Sequence, residues 1–235
     1  MPVCPMITDA SLYRLMAWLS PAFPVGGYTF SHGMEYGVEE GLIRDGETLR
    51  RWIEAIVSHG TGRVEADLFR IAWQAVKDDD GDMLAWAVER ANAMRATSEM
   101  ALESSAQGQA FLDTLRTAWP RQKFEPWAEM LSAMDFPPSY AVAVGLATAQ
   151  EGIALKTALT AFLHAFAANL VSAGLRLVPL GQTDGQKVLA ALEETVIAAA
   201  GAALERGPED LGGTAPLVDW TSMKHETQYT RLFRS

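Results

Sequence analysis

Nineteen consecutive residues, TALTAFLHAFAANLVSAGL from Thr157 to Leu175, carry no formal charge. About 20 apolar residues in a helix are enough to cross a bilayer, so this stretch has two destinations, a membrane or the inside of a helical bundle. It is alanine-rich, is flanked by Lys156 and Arg176, and holds Thr157, Thr160, His164, Asn169 and Ser172. Those polar groups favour the bundle, where each must find a hydrogen-bond partner. The expectation is a central buried helix with His164 as a hydrogen-bonded core residue, and no membrane role.

The remaining long segments repeat their apolar residues at helical rather than alternating spacing. Leu12, Leu15, Met16 and Leu19 line one face of a helix that Asp9 can cap and Ser20-Pro21 stops. Met34 and Val38 open a short helix, with Ser31 as its cap and Gly41 at its end. Leu49, Trp52, Ile53, Ile56 and Val57 form the next stripe, closed at Gly60; Leu68, Ile71, Ala72 and Ala75 lead to the acidic loop Asp78-Asp79-Asp80-Gly81. A long alanine-rich stretch runs from Met83 to Trp119, with a break allowed near Gly108 and a stop at Pro120. Pro126 suits a helix's first position, Phe136-Pro137-Pro138 ends that helix, and Tyr140 to Gln150 makes another. After Pro179, LGQTDGQ reads as a polar turn and Lys187 to Glu205 as a last long helix. With no repeat and no βαβ alternation, the fold class is all-α: a single helical-bundle domain of about ten helices with irregular loops, its body over residues 1–220 and a C-terminal tail over 221–235. The seven tryptophans read as core and interface anchors.

Several function classes are disfavoured. Nineteen basic against twenty-nine acidic residues leave a formal charge of -10, which speaks against binding nucleic acid. Cys4 is the one cysteine, so no disulfide can form within the chain, and with no export signal at the N-terminus the expected compartment is the cytoplasm. Gly41 to Thr48 resembles a phosphate loop in its glycine spacing, but Glu47 stands where lysine is required and a helix precedes it. Ser31 lacks the strand and the glycine frame of a serine nucleophile. His32, His59, His164 and His225 are scattered, so no metal ligand set is assigned; Cys4 or His32 would bind a metal only with ligands from another chain. A small helical enzyme remains an alternative, although no convergent titratable groups are visible for it.

Three stretches exceed what a bundle needs: SPAFPVGGYTFSHGMEYG from Ser20, GQTDGQK from Gly181 and SMKHETQYTRLFRS from Ser222. Together, in this order and spacing, they resemble the UreF family of urease accessory proteins. Ser31, Gly33, Met34 and Glu35 fit that family's Ser-x-Gly-hydrophobic-Glu pattern, and His32 stands where glutamine or another polar residue is usual.

The resemblance implies a helical, non-catalytic factor with no cofactor of its own, holding nickel at most in passing. It implies a homodimer that binds the accessory protein UreD/UreH and, in that complex, recruits or regulates the GTPase UreG during metallation of apo-urease. On this reading Pro21, Pro24, Gly26, Gly27 and Gly33 hold a stiff turn that presents Tyr28, Ser31 and Glu35 to a partner or to the dimer seam. Gln182, Asp184 and Gln186 cap the following helix or meet the GTPase, with Arg176 and Lys187 the nearest cations to its nucleotide. His225, Tyr229, Arg231, Leu232, Phe233 and Arg234 belong to a flexible tail that contacts UreD/UreH; the alternative is a tail folded back over its own helices.

Overall fold

The computed structural model describes residues 7–234, so Cys4 lies outside the described residues. They form twelve α-helices and no strand: α1 (Asp9–Trp18), α2 (Met34–Glu39), α3 (Gly46–Ser58), α4 (Thr61–Lys77), α5 (Gly81–Ala93), α6 (Ser98–Ala118), α7 (Glu125–Ser132), α8 (Tyr140–Gln150), α9 (Leu155–Leu177), α10 (Gln182–Ala191), α11 (Glu193–Glu205) and α12 (Pro216–His225).

Local chemistry sets most of the boundaries. The stripe of α3 is buried along its length, and its start is fixed by a capping box in which the Asp45 carboxylate accepts from Thr48 N–H at 2.8 Å. Thr8, not Asp9, caps α1: its Oγ1 accepts from Ser11 N–H at 3.1 Å, while Asp9 is already helical and places its charge in the first turn. Ser31 does not cap α2 through its side chain either, because its carbonyl takes the Met34 N–H at 3.1 Å and Gly33 intervenes.

Two expected long helices are each divided. The alanine-rich stretch breaks before Thr97, whose hydroxyl accepts from Met100 N–H to start α6, and continues straight through Gly108. The GQTDGQ segment is not a turn but the first part of α10, with the joint to α11 at the buried Leu192.

The centre of the bundle is α8 rather than the uncharged helix. Every residue from Ala141 to Ala149 is buried, and α8 packs against α4, α6 and α9. Val142, Val144 and Leu146 each contribute about 1.5–3 kcal/mol by leaving water. Helix α9 is long and apolar enough to cross a membrane, yet it packs against α3, α4, α8, α10 and α11 with half of its apolar window buried. His164 lies on its exposed side, not in the core. The tryptophans mostly serve the core as expected, with Trp18 and Trp52 buried and Trp220 at the surface.

Candidate functional site

The opening turn leaves α1 through exposed Pro21 and Pro24 and reverses at Gly26, whose φ of +75° lies in the left-handed region. A single 3₁₀ turn, Gly27–Thr29, follows, and the Asn169 side-chain amide of α9 donates to Gly27 O at 2.9 Å. Phe30, Ser31, His32 and Gly33 then run inward and are all buried. Gly33 has φ +71° and passes so close to α12 that a Cβ there would stand 2.5 Å from Ser222 N. Only glycine lets the two backbones approach in this way.

That approach brings the last residues of the chain onto the turn. The Glu35 carboxylate accepts the backbone N–H groups of Leu232 at 2.6 Å and Phe233 at 2.9 Å. Its Oε2 also stands 3.2 Å from His225 Nε2, while His225 Nδ1 lies 2.7 Å from Glu99 Oε2. His225 is fully buried. Both ring nitrogens thus face carboxylate oxygens, one from α2 and one from α6. Arg231 donates to the other Glu99 oxygen at 2.6 Å, and Arg234 N–H donates to Thr29 O at 2.8 Å. Phe233 is buried beneath Arg176, whose guanidinium lies 4.4 Å from the ring centre.

The sequence-predicted residues therefore fall into two sets. The seam gathers Ser31, Glu35, His225, Arg231, Phe233, Arg234 and Arg176, with Gly26, Gly27 and Gly33 shaping its backbone. Of these, Ser31, His225 and Phe233 point into the chain. Tyr28, Tyr229 and Leu232 are the outward apolar groups, exposed by 66%, 103% and 66%. Gln182, Asp184, Gln186 and Lys187 lie on the first turns of α10; Lys187 donates to Asp184 at 2.9 Å and thereby holds that carboxyl below its ordinary value. The expected free tail lies folded back, tied at Glu35 and Glu99.

Glu99 was not singled out from the sequence, and neither were Glu103, Glu65 and Arg95. These last three surround His32, which is itself in the left-handed region at φ +53°. His32 Nε2 stands 3.1 Å from Glu103, Thr61 Oγ1 is 3.3 Å from Nδ1, and the adjoining Glu65–Arg95 ion pair is buried. Burial disfavours the charged ring, but the charge and hydrogen bond of Glu103, aided by Glu65 and opposed by Arg95, hold the His32 pKa above the ordinary imidazole value. A raised folded-state value stabilises the fold fully below the unfolded value of about 6.5, and that contribution is lost as pH rises through the folded value. Urea unfolding of the native chain and of His32→Gln across this range should show a stability difference that shrinks with rising pH. A difference independent of pH would refute the role of Glu103 and Glu65.

Among the described residues, no group of three or more His, Cys, Asp or Glu side chains is placed to hold a metal ion. The site is a seam between the opening turn and the C-terminal segment, closed by hydrogen bonds to Glu35 and Glu99.

The UreF family model matches residues 43–193, the helical body between the turn and the tail. Likeness to individual relatives extends over nearly the whole chain. A urease accessory protein UreF from Granulibacter bethesdensis is 45% identical over 97% of this chain and 95% of its own. One from Rhodopseudomonas palustris (strain BisB5) is 48% identical over 97% and 92%, and one from Magnetococcus marinus 44% over 98% and 100%. A matched body and relatives more than 40% identical over nearly the whole chain make this chain a member of the UreF family of urease accessory proteins.

Proposed function

We propose that this urease accessory protein works by presenting the seam between its opening turn and its C-terminal segment to the UreD/UreH protein, and that the resulting complex recruits or regulates the GTPase UreG on apo-urease. The chain is a non-catalytic factor in urease maturation. In this reading it acts in the cytoplasm as a homodimer, nickel passes without a resident site, and neither membrane nor nucleic acid is a partner. Residues 1–220 serve as the helical body and 221–235 as the partner-binding end, with α12 spanning the join.

The observation that carries this reading is the contrast within one short segment. Phe233 is buried while Tyr229 and Leu232 stand almost free of the chain that holds them. Large exposed apolar groups on a firmly tied backbone lose little entropy on docking. Pro21, Pro24, Gly26, Gly27 and Gly33 do the same for Tyr28 on the turn. Arg176, stacked on Phe233, and Lys187, paired with Asp184, are the cations proposed to lie nearest the GTPase, with Gln182 and Gln186 beside them.

The paired change Tyr229→Ala/Leu232→Ala should reduce capture of UreD/UreH from cells carrying urease genes by about thirtyfold or more. Thermal unfolding should hardly move, since neither side chain is buried in the chain. Undiminished capture would remove these residues from the interface.

A further inference from the structure

One corner of this acidic chain is positive. Arg14 and Arg121 both pair with Glu151, just beyond α8, and Lys123 has no ion-pair partner among the described residues. Three cations therefore answer to a single carboxylate, in a chain whose formal charge is -10. Arg121, Lys123 and Glu151 belong to the lining of a cavity of about 400 Å³.

The rest of that lining is largely aromatic and apolar. Trp18 at the end of α1, Trp119 just after α6 and Phe124 in the 3₁₀ turn Gln122–Phe124 contribute rings, and Leu115 of α6 and Ala147 of α8 contribute aliphatic surface. The rings are braced from outside the cavity: Trp119 lies 6.0 Å from Trp18 and 6.2 Å from Tyr13, and Trp18 meets Phe111 edge-on at 6.2 Å. The charged segment is fixed at its backbone, because the Gln150 side-chain amide donates to Lys123 O at 3.1 Å and accepts from Trp127 Nε1 at 2.7 Å.

An apolar, ring-lined hollow of this size with a few polar groups is the usual form of a small-molecule site. Its chemistry restricts the occupant. Aromatic walls favour a planar ring in stacked or edge-on contact. The excess positive charge selects an anion, and an ammonium beside a guanidinium suits a carboxylate. Among the described residues neither Arg121 nor Lys123 stacks on a ring, so neither charge is taken up by the aromatic lining.

We infer that the cavity bordered by α1, α6 and α8 binds a small aromatic carboxylate, its ring among Trp18, Trp119 and Phe124 and its carboxylate at Arg121 and Lys123. The site shares no residue with the seam or with α10 and does not depend on the reading of either.

Isothermal titration calorimetry of the full chain tests it, with 2-naphthoate and 3-phenylpropionate as a rigid and a flexible probe. At least one acid should bind saturably at one site per chain, and 2-naphthamide, which keeps the ring and loses the charge, should bind about tenfold more weakly or worse. Lys123→Glu should weaken binding of the acid by about tenfold or more and leave the amide unchanged. Lys123 is exposed and unpaired, so this variant keeps the fold. Trp119→Ala should abolish binding of both probes by removing a wall; should it misfold, the acid and amide comparison with Lys123→Glu decides alone. Failure of both acids to saturate, equal binding of acid and amide, or an acid indifferent to Lys123→Glu would each overturn the inference.

Discussion

Glu35→Ala should release the C-terminal segment and cost about 3 kcal/mol of stability. The carboxylate takes two backbone N–H groups, those of Leu232 and Phe233, and also faces His225 Nε2. Charge-assisted hydrogen bonds are the strong ones, and removing the acceptor leaves a buried histidine ring with one carboxylate instead of two. Hydrogen exchange should report the loss locally, with the amides of Leu232 and Phe233 exchanging about a hundredfold faster. Glu35→Gln keeps the shape and one good acceptor, so it should lie between. Unchanged protection at these two amides in the alanine variant would show that Glu35 does not hold the segment.

A second large effect is expected at Gly33. Alanine there must adopt a φ of +71° and place its Cβ 2.5 Å from Ser222 N and 2.8 Å from Ser222 Cα. Both atoms are backbone, so relief requires α12 to move, and with it His225 and the tied segment. A cost of about 3–5 kcal/mol follows, a fall of roughly 10 °C in melting temperature for a chain of this size. Gly201→Ala on α11 is the control: nothing lies within 4 Å of the added carbon, and the gain in helix propensity should leave the protein equal or slightly more stable. If Gly33→Ala melts like Gly201→Ala, the close crossing of α2 and α12 is not a structural constraint.

The helical class was legible because apolar spacing is a local signal, and the five stripe residues of α3 show it at full strength. The break at Thr97 was not, since a threonine within an alanine-rich run looks the same whether its hydroxyl caps a helix or points to water. The GQTDGQ stretch misled for the converse reason: glycine and aspartate favour turns locally, but packing of α10 on α3 and α9 overrides that preference. At the site, Ser31, Gly33, Glu35 and the tail were readable from composition and motif. Glu99 was not, because its importance comes from His225, 126 positions away. No periodicity encodes such a meeting. His164 was misplaced because an apolar neighbourhood in sequence was taken for an apolar one in space, and α9 turns that side outward.

Glu35 and Phe233 are separated by 198 positions, and Thr29 O accepts a hydrogen bond from Arg234 N–H. At about 5–20 residues per second, a ribosome needs about 10–40 s to travel from the acceptor to its donors. Throughout that interval the nascent opening turn has no tail to receive. A chain cut before Leu232 could complete much of its helical body but never fasten the turn to it.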